Sequence, residues 1–139
     1  MTKTLRIAAA LLLRPDGDTL LVRKRGTAAF MQPGGKIEPK EAPEQALVRE
    51  LFEELGLVVA TKELVFLGKF QAPAANEPQH IVVADLFRLR VGNIEIAPTA
   101  EIEEIRWVSP QNPRDIIMAP LTEHHVLPFC RQQDTSAND

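Results

Sequence analysis

The stretch from Leu5 to Leu13 is apolar at every position but Arg6 and predicts a buried strand. Pro15-Asp16-Gly17-Asp18 is turn chemistry, and Leu20 to Arg25 reads as the returning strand of a hairpin. Phe30 to Gln32 is a short extended piece before Pro33-Gly34-Gly35 breaks the chain. Helical periodicity is strongest from Ala42 to Leu55, with Pro43 in the first turn and Gly56 just past the last. Leu64 to Phe70, Ile81 to Val91 and Ile102 to Val108 read as strands, with loops at Gln71–Gln79 and Asn112–Arg114. Leu121 to Arg131 reads as a closing helix that breaks or ends near Pro128, and Gln132 to Asp139 as a polar, frayed tail. Strands on either side of one long helix, with a second helix at the end, predict an α/β sandwich around a mixed sheet. The expected organisation is one domain over residues 1–131 and a tail over 132–139.

On the Ala42–Leu55 helix, at ~100° per residue, Leu47, Val48, Leu51, Phe52 and Leu55 share the arc expected to meet the core. Glu50, Glu53 and Glu54 share an adjoining arc with Ala46, and Arg49 stands four residues before Glu53, within pairing reach. Carboxylates at this spacing repel one another. A solvated face with salt bridges would hold them. So would a hard divalent cation, which takes oxygen ligands from carboxylates and from substrate phosphates. The preceding loop favours the cation. Gly34-Gly35 lets a ligand approach the backbone closely, and Lys36 adds positive charge. Phosphate and metal are expected to meet there.

Composition narrows the partners. At 139 residues, 45% hydrophobic and 25% charged, the chain can bury a core without staples. Sixteen basic against nineteen acidic residues give a net charge of −3, a poor basis for gripping a nucleic acid polymer but no obstacle to a small phosphorylated ligand. A single cysteine, Cys130, excludes a disulfide framework and a cysteine-based zinc site. The run Ile7–Leu13 is too short to span a bilayer, and a cytoplasmic protein without membrane association is expected. His124 and His125 diverge by ~100° on a helix and make a poor metal pair. His80 is ambiguous, whereas Trp107 and Cys130 read as packing residues.

Gly35, Glu41 and the run Arg49-Glu50-Leu51-Phe52-Glu53-Glu54-Leu55-Gly56-Leu57 stand at the spacing of the Nudix box, and all nine specified positions agree over 23 residues. The chain resembles the Nudix hydrolases, and its short length resembles their small mutator-type nucleoside triphosphate pyrophosphohydrolases. The resemblance implies an α/β/α sandwich and Mg²⁺- or Mn²⁺-dependent hydrolysis of a diphosphate linkage in a nucleoside diphosphate derivative. The simplest case is a nucleoside triphosphate, with or without a modified base, cut to the monophosphate and pyrophosphate. ADP-ribose or nucleotide-sugar hydrolysis is an alternative, faintly marked by Pro73, sixteen residues beyond Leu57. A non-catalytic nucleotide-binding module is a further alternative. With no tyrosine in the chain, the tyrosine marker of dinucleoside polyphosphate hydrolases is missing. The resemblance also implies metal ligation by Glu50, Glu53 and Glu54 with the Gly35 carbonyl, and an Arg49 that orients a glutamate. Glu38 would lie near the diphosphate, and Glu41 would be structural or one step removed from the metal. Because many relatives pair, a homodimer is allowed. Two positions depart from the pattern: Lys40 stands where glycine is common, and Ala42 where serine or threonine often caps the helix.

Water attack on a phosphoryl group needs a base within reach. The candidates are a box glutamate, Glu53 or Glu54, and the loop glutamate Glu101, six residues before Trp107, with Glu103 and Glu104 as neighbours. Alternation puts Arg23 and Arg25 on one face of the second strand and Lys24 on the other. Arg25 resembles a family position that contacts phosphate. Arg23, Arg25, Lys36 and Glu38 are the candidate substrate-binding residues.

Overall fold

A computed structural model of the chain describes residues 2–75, 77–113 and 115–138. Asn76, Arg114 and Asp139, which fall in the expected loops and tail, lie outside the described residues, as does Met1. The first strand, β1 (Lys3–Leu13), runs parallel to β6 (His80–Arg90) from Lys3↔His80 to Leu13↔Arg90. Its apolar run serves two cores at once. Ala8, Ala10 and Leu12 face one core, and Ala9 and Leu11 face the other. A strand covered on both sides needs no polar alternation. On the far side of β6 lies β5 (Val65–Pro73), antiparallel.

The expected hairpin is only partly formed. Its turn closes, with the Arg14 N–H donating to the Asp18 carbonyl at 3.0 Å. However, β2 (Thr19–Lys24) registers with β1 only at Leu13↔Thr19 and then runs antiparallel to β7 (Ile102–Val108). The edge of β1 that β2 would have used is taken at Ile7–Ala9 by a strand where a chain break was expected, β4 (Gly34–Lys36). A short β3 (Phe30–Met31) pairs with β2. The result is a mixed seven-stranded sheet.

Helix α1 (Pro43–Leu55) begins and ends where the caps direct it. Ala42 offers no side-chain cap, but its N–H donates to Oε1 of Gln45 at 3.1 Å, and Gly56 closes the helix at φ 65°. Lys40 holds φ 67°, so the loop keeps the left-handed bend without a glycine. Ala46, Leu47, Leu51 and Leu55 pack on one face of the sheet. The expected arcs need correction: Phe52 of the core arc is 59% exposed and Val48 only partly buried, whereas Ala46 and Glu54 of the adjoining arc are buried, Glu54 to 1% exposure.

The other face is covered by a π-helical turn, Thr122–Val126, and helix α2 (Leu127–Asn138), through Leu121, Val126 and Cys130. Pro128 does not end the helix, and the backbone stays helical through Asn138, where a frayed tail was expected. Directly after the wider π turn, in the first turn of α2, a residue without an N–H is tolerated. The helices on both faces complete the expected α/β/α sandwich. Cys130 is buried, and Trp107 packs partly buried against the first core with the Arg14 guanidinium 4.3 Å from its ring centre. Among the described residues, no helix is long and apolar enough to cross a membrane.

Candidate active site

Arg49 is the hub that ties the Gly34–Ala42 loop to α1. Its Nε and Nη2 donate to the two carboxylate oxygens of Glu41, each at 2.9 Å. Nη1 donates to Glu50 at 2.9 Å and to Glu53 at 3.4 Å, and Nη2 also donates to the Lys36 carbonyl at 3.0 Å. The expected Arg49–Glu53 pair is present, but it is the longest of these bonds. The forked bond to Glu41 has the bidentate geometry that fixes a guanidinium in place. That bond, reinforced by the Glu38 N–H, holds the Glu41 carboxyl down at about 2. Glu41 is therefore the anchor of the arginine. The Glu38 carboxylate is exposed and stands 3.9 Å from the guanidinium.

Glu54 has the opposite setting. The Gly34 N–H donates to its Oε1 at 3.2 Å, Lys24 Nζ lies 3.5 Å from its Oε2, and among the described residues that oxygen accepts no hydrogen bond. Burial pushes the carboxyl up to about 7. Lys24 and the Gly34 N–H pull it down, and Glu50 adds a smaller push upward. Glu50 presses on the loop. A β-carbon on Gly35 would stand 2.5 Å from the Glu50 Cδ, so only glycine permits this approach. Glu53 is half exposed.

Among the described residues, no three histidine, cysteine or carboxylate side chains already converge as a metal cage. The donors nonetheless suit a hard cation. They are oxygens only, one is a buried carboxylate oxygen that accepts no hydrogen bond, and another carboxylate lies against a glycine that leaves the approach clear. The box residues fit a divalent ion of the Mg²⁺ or Mn²⁺ kind.

A cavity of about 200 Å³ opens beside this loop, with Lys24, Gly35, Lys36, Gln32, Glu77 and Thr122 in its wall. Lys24 is the residue that sequence reasoning passed over in favour of Arg23 and Arg25. Leu20 and Val22 point into the α1 core and Leu21 into another, so β2 is apolar on both faces. Its pattern could not say which face α1 covers. With α1 on the Leu20/Val22 side, alternation puts Lys24 at the site.

The other candidates stand along β2 and β7. Arg23 donates to the Thr27 carbonyl at 2.9 Å and pairs with Glu104 at 3.4 Å. Arg25 is exposed, pairs with Glu103 and donates from Nε to the Ala100 carbonyl at 2.8 Å. Glu101 is exposed at the entry to β7, its carbonyl accepting the Arg25 N–H at 2.9 Å. Its loop is fastened to α1, where the Thr99 N–H donates to the Glu54 carbonyl at 2.9 Å.

Comparison with known proteins agrees with this arrangement. The family model of the NUDIX domain matches residues 3–128. A Bacillus subtilis protein named as a putative 8-oxo-dGTP diphosphatase is 30% identical over 88% of this chain and 77% of its own length. An ADP-ribose pyrophosphatase of Methanocaldococcus jannaschii is 30% identical over 73% of this chain and 60% of its own length. The crystal structure of a MutT protein from Methanosarcina mazei superposes with a TM-score of 0.77 over 99% of this chain and 98% of that one, at 21% identity, which speaks for the fold. With the box helix, its arginine anchor and the glycine loop assembled on this sandwich, the chain belongs to the Nudix hydrolase family.

Proposed function

We propose that the chain hydrolyses the diphosphate linkage of a nucleoside triphosphate, canonical or base-modified, to the nucleoside monophosphate and pyrophosphate. The observation that carries this reading is Glu54. It is a buried carboxylate with an oxygen that, among the described residues, accepts no hydrogen bond. It stands beside Lys24, which lines a cavity together with the Gly34–Lys36 loop. The relative named as an 8-oxo-dGTP diphosphatase supports the substrate class.

Glu50, Glu53, Glu54 and the Gly35 carbonyl would hold Mg²⁺ or Mn²⁺. A bound cation of this kind neutralises phosphate charge and makes water more acidic. The remaining work falls to the chain. Arg49 fixes Glu50 and Glu53, and the Gly34 N–H orients Glu54. Lys24 and Lys36 bring positive charge to the cavity where the phosphates would lie. The proton of the attacking water goes to Glu53, which is open to solvent, or to Glu101 on the loop fastened to α1.

ADP-ribose is the second reading, supported by the place of Pro73 in the cavity wall and by the archaeal ADP-ribose pyrophosphatase. One panel separates the two: pyrophosphate and phosphate release from nucleoside triphosphates, ADP-ribose and nucleotide sugars with Mg²⁺ or Mn²⁺, and with folded Glu53→Gln as control. Triphosphate turnover yielding pyrophosphate, lost in the variant, is the expected result. Turnover confined to ADP-ribose replaces the first reading with the second. Nucleotide binding without any turnover points to a binding module.

A further inference from the structure

Arg25 ties the end of β2 to the chain that enters β7. Its N–H donates to the Glu101 carbonyl at 2.9 Å, its Nε donates to the Ala100 carbonyl at 2.8 Å, and its Nη1 pairs with Glu103. Just before these residues, the Thr99 N–H donates to the Glu54 carbonyl at 2.9 Å, and the Thr99 carbonyl accepts the Ile102 N–H at 3.0 Å. The segment from Thr99 to Ile102 is thus fastened to α1 on one side and to Arg25 on the other. A β-bulge falls at the same place. The register passes from Arg23↔Glu104 to Lys24↔Ile102, which leaves Glu103 as the extra residue. Bulges of this kind re-aim side chains beside active sites. Of the three carboxylates here, Glu103 is paired with Arg25, and Glu104 with Arg23 and Arg106. Glu101 is exposed, and among the described residues its carboxylate has no ion pair or hydrogen bond. Each contact at an exposed strand end is modest alone. Together they fix the backbone of a loop that carries one unengaged carboxylate and bonds to the box helix.

We infer that Arg25 is a positioning residue for the reaction: it holds Ala100 and Glu101 in place so that the Glu101 carboxylate serves the site built on α1, whether by taking the proton of water or by meeting the cation. It acts through the fixed fork of its guanidinium and not as a phosphate ligand, since its Nε and Nη1 are committed to the loop. Lysine, a point charge on a flexible stem, cannot reproduce that fork, although it binds phosphate well. The inference rests on the proposed function in taking hydrolysis at the box as the reaction, and it deepens that reading by naming what sets Glu101 in place.

Two measurements test it. The first is kcat and KM, on the nucleoside triphosphate turned over fastest, for Arg25→Ala, Arg25→Lys, Glu101→Gln and the double variant Arg25→Ala with Glu101→Gln. Both Arg25 variants lose about tenfold in kcat with KM held, and Glu101→Gln loses a similar factor. In the double variant Arg25→Ala costs nothing further, because the two changes remove one function. A KM that rises in Arg25→Ala with kcat held, and that lysine restores, makes Arg25 a phosphate ligand and overturns the inference. A full second loss in the double variant overturns it too, as does wild-type kcat in either Arg25→Ala or Glu101→Gln. The second measurement needs no turnover: amide hydrogen exchange at Thr99 and Ile102 in the wild type and in Arg25→Ala. Exchange at both quickens about tenfold in the variant while the amides of α1 stay protected. Unchanged exchange overturns the inference. If the wild type hydrolyses no triphosphate, the hydrolytic reading falls, and the exchange result still decides whether Arg25 sets the loop.

Discussion

Lys24 Nζ lies 3.5 Å from Oε2 of Glu54, whose side chain is 1% exposed. An opposite charge at that range ordinarily favours the carboxylate form. Here burial outweighs it, and the Glu54 carboxyl rises from the usual 4.5 to about 7. The lysine limits the penalty without removing it. The protein thus keeps a carboxylate whose charge is poorly compensated, which is the condition a cation would relieve.

That imbalance gives a pH dependence. A carboxyl with a raised folded value binds its proton more tightly in the native state. The contribution of Glu54 to stability is therefore fully present below 4.5, falls as pH rises towards 7, and is gone above. The fall attributable to Glu54 is on the order of 3 kcal/mol. Glu41 acts in a separate window. Held at about 2, it adds stability above 4.5 that is lost as pH falls towards 2. Urea unfolding in chelator at pH 5 and pH 8 should show the wild type weaker at pH 8. Glu54→Gln should flatten the difference. An equal slope in the variant would remove Glu54 as its cause.

A divalent ion should reverse that loss. Protons and cations compete for the same oxygens, so Mg²⁺ or Mn²⁺ should raise Tm more at pH 8 than at pH 5.5. Glu54→Gln should abolish most of the rise. A metal-induced shift of equal size at both pH values, or one that survives in the variant, would take Glu54 out of the ligand set.

The two glycines of the loop should fail in different ways. Gly34 holds φ 147°, and a β-carbon there would collide with the Ala8 carbonyl and Ala9 Cα of β1, which are backbone atoms that cannot turn aside. Gly34→Ala should cost several kcal/mol, beyond the ordinary ~0.5–3 kcal/mol of a single substitution, and yield little folded protein. At Gly35 the added carbon meets only the Glu50 carboxylate, the far end of a side chain. Gly35→Ala should fold, with a Tm near wild type, and lose turnover at least tenfold because Glu50 is displaced. Thermal melts beside kcat distinguish the two.

Much of this was legible in the sequence, and the omissions share a cause. The strand Ile102–Val108 stands where the pattern places it, and α1 begins one residue later than expected because Ala42 is its cap. Local signals decide such elements. Pairing partners are not local. The hairpin reading of β1 and β2 held only at the turn and at Leu13↔Thr19, because Gly34–Lys36, farther along the chain, takes the edge of β1. Residue depth is also decided elsewhere. A helical arc gives the direction of Glu54 and Phe52 but not what covers them. The Gly34–Gly35 strand closes over the first, and nothing covers the second. Lys24 was hidden in the same way, since β2 is buried on both faces and only the placement of α1 selects one.

The choice of general base is the sharpest remaining test of the site. Among the described residues Glu53 bonds to Arg49 alone, at 3.4 Å, and it is 48% exposed, so Glu53→Gln should change stability by no more than ~0.5 kcal/mol. If Glu53 takes the proton from water, the same variant should lose ~10²–10⁴-fold in kcat with KM little changed. Glu101→Gln should then lose far less, because its loop is held by backbone bonds that do not involve the carboxylate, from the Thr99 N–H to the Glu54 carbonyl of α1 and from the Arg25 N–H to the Glu101 carbonyl. The reverse ranking, measured with the same substrate and metal on proteins of matched Tm, would move the proton to Glu101 and leave Glu53 as a ligand alone. The pH–rate profile gives an independent reading. Removing the base should flatten the acidic limb of kcat, whereas removing a metal ligand should raise the metal concentration needed for half-maximal rate and keep that limb.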